Sequence, residues 1–239
     1  MPRTLSLAAV LSVALTAPVS AATTCSKLSG HKVLATPAIK IVYTARTKKE
    51  SGGGKLAGRT YLGCTRPSGP VRKLYSGYTE FLGGAPVSFA NIGFLKNAGH
   101  YVYERIFEGG NQGGIQSFRV ADVSTGKSYL VAAHSDNDGH GMPVPAHPLL
   151  NDQGQFAAAF PNDGTYGVDT PAEGTVEVDG YTADGRRHVL DSAALGVIEP
   201  AFLSLTGSVV GWQKAGAGFT ADLSSSSLPP ATPVPKPKS

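Results

Sequence analysis

The densest group of side chains with chemical potential is the run His134-Ser135-Asp136-Asn137-Asp138-Gly139-His140-Gly141, with His147 close behind. Asp136 and Asp138 alternate as carboxylates do in calcium loops, and His134 and His140 are nitrogen donors of the kind a transition metal takes. A metal-dependent extracellular hydrolase would be built on His134, Asp136, Asp138 and His140. Against that alternative, the run lacks the third acidic position and the distal glutamate of an EF-hand loop, and its glycines suit a plain connector between strands. Hydrolysis by a side-chain nucleophile needs a base and an orienting acid beside it. The chain has neither a G-x-S-x-G elbow nor an H-E-x-x-H helix. His188, Asp191 and Ser192 are near one another in sequence, but neighbouring residues of a strand point to opposite faces. His188 reads instead as a cap on a hairpin edge. The sequence therefore favours a protein without catalysis of its own and without a cofactor; calcium or a transition metal belongs only to the hydrolase alternative.

The second group acts through charge. Between residues 22 and 78 stand eleven Lys and Arg and a single acid, Glu50, which gives that segment about +10. From 79 to 223, seven bases face sixteen acids, about −9, so the formal net charge of +4 conceals a strong asymmetry. Such segregation can mark a polyanion contact. Its focus is the stretch 46–59, a basic, Gly-rich loop between two strand signals that carries Arg46, Lys48, Lys49, Lys55 and Arg59, with Tyr75 and Tyr78 further on. The expected partner is an anionic envelope polymer or another exported protein, held by screened electrostatics. Sequence-specific nucleic-acid reading is not expected, because no helix-turn-helix or aromatic-interleaved pattern accompanies the charge. The triple glycine lacks the Lys-Ser/Thr pair of a phosphate-binding loop. The bland alternative is that the basic segment packs against the acidic remainder of the same chain.

The elements that must carry these groups read as short strands. Thirty glycines and seventeen prolines in 239 residues, with 16% charged, exclude coiled coils and helix bundles. At 41% hydrophobic the chain can still bury a core. One motif recurs three times: a Leu, a polar turn with Gly four residues later, and an apolar strand beginning two after the Gly. It is carried by Leu95/Gly99/Tyr101, Leu150/Gly154/Phe156 and Leu203/Gly207/Val209. A second motif alternates with it, a hairpin with its glycine at Gly69, Gly126 or Gly185 and an apolar residue five positions on, at Leu74, Val131 or Leu190. Together they predict a unit of about 55 residues that cannot bury both faces of its small sheet and must stack on its neighbours.

The hairpin with its Asp, turn glycine and returning Leu resembles the inner part of β-propeller blades of the TolB-like and WD40-like kind, over roughly residues 38–222. The resemblance implies an all-β, propeller-like array, small or incompletely closed, that presents a binding surface; a β-sandwich or barrel is the alternative fold. No WD dipeptide or blade tryptophan array is present, and Trp212 stands alone.

Residues 1–21 read as a secretory signal peptide cleaved after Ala21: Arg3 precedes an apolar stretch, Pro18 breaks it, and Val19-Ser20-Ala21 puts small side chains at the cleavage positions. That stretch is too short to cross about 30 Å of hydrocarbon, and no later run reaches about 18 apolar residues, so no transmembrane segment is expected in the mature chain. Export lets the two cysteines, Cys25 and Cys64, form a disulfide. The expected organisation is a signal peptide (1–21), a β-repeat domain (22–223) and a disordered Ser/Pro/Lys tail (224–239).

Overall fold

The computed structural model describes residues 24–49, 54–82, 85–110, 113–135, 141–165 and 171–234. Within them the chain is all-β, with fifteen strands and two single 3-10 turns, Cys25–Lys27 and Pro200–Phe202. The first eight strands form one antiparallel sheet in sequence order. They are β1 (His31–Ala35), β2 (Ile39–Lys49), β3 (Lys55–Thr65), β4 (Arg72–Leu82), β5 (Ala85–Ala98), β6 (Tyr101–Gly110), β7 (Gly113–Asp122) and β8 (Ser128–Ser135). A four-stranded sheet follows, built from β9 (Ala146–Leu150), β10 (Phe156–Asn162), β11 (Thr175–Tyr181) and β12 (Arg187–Ala194). The last sheet has three strands, β13 (Ser204–Thr206), β14 (Val209–Lys214) and β15 (Ala217–Asp222). No sheet closes on itself: β1 and β8, the edges of the first, are not paired. A propeller does not follow from this geometry, and the long first sheet fits the sandwich or barrel alternative.

That sheet folds over, because side chains of β2 and β3 meet those of β5 to β7. Ile39 and Ile41 pack with Val102, Ala121 and Val123, while Tyr61 packs with Ile92 and Ile106. The fold line lies at β4 and β5, which pair only from Tyr78–Leu82 to Ala85–Ala90. There Gly77 lies so close to β5 that an added Cβ would sit 2.3 Å from the Ala90 carbonyl oxygen. Only glycine permits that approach.

The other two interfaces stack sheet on sheet. Tyr103, Phe118, Val120 and Val131 cover Phe156, Phe160 and Tyr181. On the reverse side, Ala157, Ala159, Val176 and Val178 cover Ile198, Leu203, Val210 and Trp212. Strand β10 is therefore apolar on both faces, Phe156-Ala157-Ala158-Ala159-Phe160, each residue fully buried. The large rings face the first sheet and the alanines let the third approach. The three Leu/Gly motifs fall on the hairpins β5–β6, β9–β10 and β13–β14, where Gly99, Gly154 and Gly207 take positive φ of 53°, 80° and 55°.

Cys25 and Cys64 form a disulfide that fastens the first 3-10 turn to β3 across 39 residues. Restricting the unfolded chain over that separation contributes about 4 kcal/mol in the loop-entropy account.

The stretch expected as a basic loop is mostly strand. β2 runs through Arg46 and Lys48 and pairs with β3 as far as Lys49↔Lys55. The β-branched Thr44 and Thr47 suit the ladder, which leaves only residues 50–54 between the two strands.

Residues 224–234, read from the sequence as a tail without structure, lie against the second sheet. Leu228 and Val234 pack onto the two cores, and the Thr232 amide donates to the Arg187 carbonyl at 2.8 Å. Residues 235–239 are outside the described set. Two apolar anchors offset the ordering of this segment, and an edge strand offers backbone groups that a Pro-rich chain can use in part.

Under the tail lies a buried charge cluster. The Arg187 guanidinium donates to Asp179 at 2.7 Å and Glu177 at 2.8 Å, and its remaining nitrogen reaches Thr232 Oγ1 and the Pro233 carbonyl, each at 3.4 Å. One guanidinium neutralises only one of two buried carboxylates. Burial accordingly pushes the Asp179 carboxyl up to about 7 despite the lowering influence of Arg187. Arg187→Ala should cost about 3–5 kcal/mol, because it strands both carboxylates, whereas Thr232→Val should cost about 1 kcal/mol. Urea denaturation of the two variants checks the ranking; equal losses would overturn it.

Candidate functional site

The basic side chains occupy the end of the first sheet formed by β2, β3 and β4. Cross-strand partners share a face, so the register Arg46↔Gly58↔Tyr78 places Arg46 and Tyr78 on either side of a residue without a side chain. Lys48 follows on the same face of β2, two residues on, about 7 Å along the strand. Lys55 and Arg59 stand on the opposite face, where the Arg59 guanidinium lies 5.1 Å from the ring centroid of Tyr43. Arg46, Lys48, Lys55 and Arg59 are all exposed, as is Tyr78. Of the side chain of Lys49 nothing is described. The five sequence-selected cations thus share one hairpin but do not share one face. Tyr75 is drawn inward, its hydroxyl donating to Glu108 Oε1 at 2.9 Å.

No basic side chain of β1 to β4 enters a salt bridge among the described residues. Lys40 donates to the Leu28 carbonyl, Arg66 to that of Thr36 and Arg72 to that of Ser124. The acids are answered elsewhere. Asp122 accepts from Ser124 and Thr125, Asp184 pairs with Arg186, and Asp191 accepts from Trp212 and Lys214. Asp222 is bonded by Ser208 and Ser224. These hydrogen bonds outweigh the burial of Asp122 and Asp191 and hold both carboxyls below the usual range. Asp122, Asp184, Asp191 and Asp222 are thus answered within their own part of the chain, while Arg46, Lys48, Lys55 and Arg59 are exposed.

Of the alternative metal set, Asp136, Asp138 and His140 lie outside the described residues. His134 is buried on β8 opposite Gln116, and among the described residues no group of three or more His, Cys, Asp or Glu stands close enough to hold a metal. In the meander the C-terminal ends of β2 and β8 lie at the same end of the first sheet. His188, Asp191 and Ser192 form no constellation: His188 bonds the Pro229 carbonyl at 2.6 Å, Asp191 is committed to β14, and Ser192 is exposed.

Sequence reasoning missed Glu104. It alternates with Val102 and Ile106 on the inward face of β6, is 1% exposed, and its Oε2 has no hydrogen-bond partner. Its cross-strand neighbour is Arg119 on β7. Burial pushes the Glu104 carboxyl up to about 7, with Arg119 acting in the opposite direction. The sequence carried little signal for it, because β6 is buried on both faces from Val102 to Glu104 and no period-2 pattern singles out the acid.

Compared with known protein families, curated proteins and solved structures, the chain matches none. Among the described residues no helix is long and apolar enough to cross a membrane.

The unfolded chain ionises Glu104 near 4.5 and the folded one near 7, so stability should fall as pH rises between those values and then level off. The full loss is about 3 kcal/mol from this one group. Asp179 titrates in the same window and in the same sense. Glu104→Gln should flatten the Glu104 share, leaving the variant more stable than the parent above neutrality. Urea midpoints followed across this range test it; an unchanged slope in the variant would refute the assignment.

Proposed function

We propose that this chain is an exported, propeller-like array of antiparallel sheet units, open rather than ringed, that binds a polyanion through its β2–β3 hairpin and performs no catalysis. In this reading β1–β4, β5–β8 and β9–β12 are successive four-strand units and β13–β15 is a shortened last one, each packed on the next. The disulfide suits an oxidising compartment.

One observation carries the functional half. The exposed bases of the hairpin have no carboxylate partners among the described residues, while acids elsewhere in the chain are hydrogen-bonded locally. That supports an intermolecular role for the hairpin's bases, with Glu80, two strands from Lys48 on the same face, the one described acid of β2 to β4 in register with them. A flexible anionic envelope polymer can meet cations on both faces of a protruding hairpin, whereas a rigid surface would meet one. Tyr78 beside Arg46 adds an aromatic surface for the polymer's uncharged segments.

Replacing Arg46, Lys48, Lys55 and Arg59 together by Ser should weaken retention on a polyphosphate or heparin resin by at least about fourfold, since each exposed ion contact contributes about 0.2–1 kcal/mol. Far-UV circular dichroism should be unchanged, because none of the four is buried. Retention of the parent should fall steeply with salt. Equal elution of parent and variant at low salt would sink the reading.

A further inference from the structure

An unpaired strand edge is a template for another strand, and proteins protect their edges with charge, proline, distortion or cover. Most edges here are protected. β1 carries Lys32 and is five residues long. Past the end of β8, the Met142 amide bonds the Ala133 carbonyl, and Gly141 bridges His134. β9 contains Pro148 directly after His147, which has a left-handed φ of 46°. β12 is bridged by Thr232, and β13 has only three residues. β15 is the exception among the described residues. Ala217-Gly218-Phe219-Thr220-Ala221-Asp222 holds no proline and no basic residue, and no further strand pairs with its outer side. Residues 217–220 are exposed, and Phe219, stacked on Trp212 with centroids 6.0 Å apart, remains 43% exposed.

We propose that β15 is a self-association edge: two copies of this chain pair β15 with β15, antiparallel, about a two-fold axis at Thr220, and join their three-stranded sheets into one of six.

The hydrogen-bond phase selects that register. The Leu223 amide donates to the Ser208 carbonyl, so by antiparallel alternation Ala221 and Phe219 bond inward to β14. Gly218 and Thr220 then direct their N–H and C=O groups outward. Centring the axis on Thr220 sets each Gly218 against the partner's Asp222 and each Phe219 beside the partner's Ala221. No like charges meet, and the half-exposed ring gains cover on the side that faces away from Trp212. An isologous contact of this kind needs one self-complementary patch, which an edge whose single charge, Asp222, faces a glycine supplies. The second sheet indicates the room available: its matching hairpin, turned at Gly154 as the third sheet's is at Gly207, belongs to four strands where the third has three. The inference makes no use of the basic hairpin and stands or falls apart from it.

Sedimentation equilibrium of the full mature chain at micromolar concentration should return twice the chain mass. Thr220→Pro removes an outward N–H that β14 does not use and should halve that mass with far-UV circular dichroism unchanged. Should the proline variant fold poorly, Thr220→Cys provides a separate reading. It should form a covalent dimer on mild oxidation, whereas Thr206→Cys on β13 should not. A parent that sediments as a monomer throughout, a Thr220→Pro variant that stays dimeric, or a Thr220→Cys chain that never cross-links would overturn the proposal. A monomeric parent would also be the outcome if the edge serves a strand from a different protein.

Discussion

Everything in this molecule depends on sheets covering sheets. Among the described residues no α-helix lies across a strand surface, so the apolar faces are buried by other sheets, and β10 is where the demand is greatest. Its two sides serve two cores at once, bulky toward β6–β8 and small toward β14. Substituting Ala157 or Ala159 by a larger residue would separate the second and third sheets, and shrinking Phe156 would open a void against Tyr103. The first sheet solves the same problem by doubling over at Gly77.

This layering also sorts the ionisable groups. Carboxylates that fall on inward positions, Glu104 on β6 and Glu177 and Asp179 on β11, are trapped between layers, where only Arg119 and Arg187 are at hand to answer them. On β2 and β3, the cations Arg46, Lys48, Lys55 and Arg59 are exposed instead.

The β character, the disulfide pair and the positions of the turn glycines could all be read from the residues alone. The Leu/Gly motifs identify three hairpins because a left-handed residue at a fixed distance before a strand is a local requirement. The joining of β4 to β5 could not be read, since pairing between units depends on how Gly77 meets Ala90, a non-local contact with no periodic mark. Composition also misled at both ends of the hairpin problem. Glycines and lysines around residue 50 suggested a long loop where the ladder persists to Lys49, and prolines after 228 hid the two apolar anchors, Leu228 and Val234, that dock the segment.

The docking of residues 228–234 on β12 has a consequence in time. A polypeptide emerges from its N-terminus, so Arg187 leaves the ribosome, and any export channel, about 45 residues before the Thr232 that caps it. Until then the guanidinium and its two carboxylates form an open, hydrated pocket at the margin of a nascent sheet. Its final dehydration waits for residues 228–234, which makes the second sheet's native packing report that this stretch has been delivered.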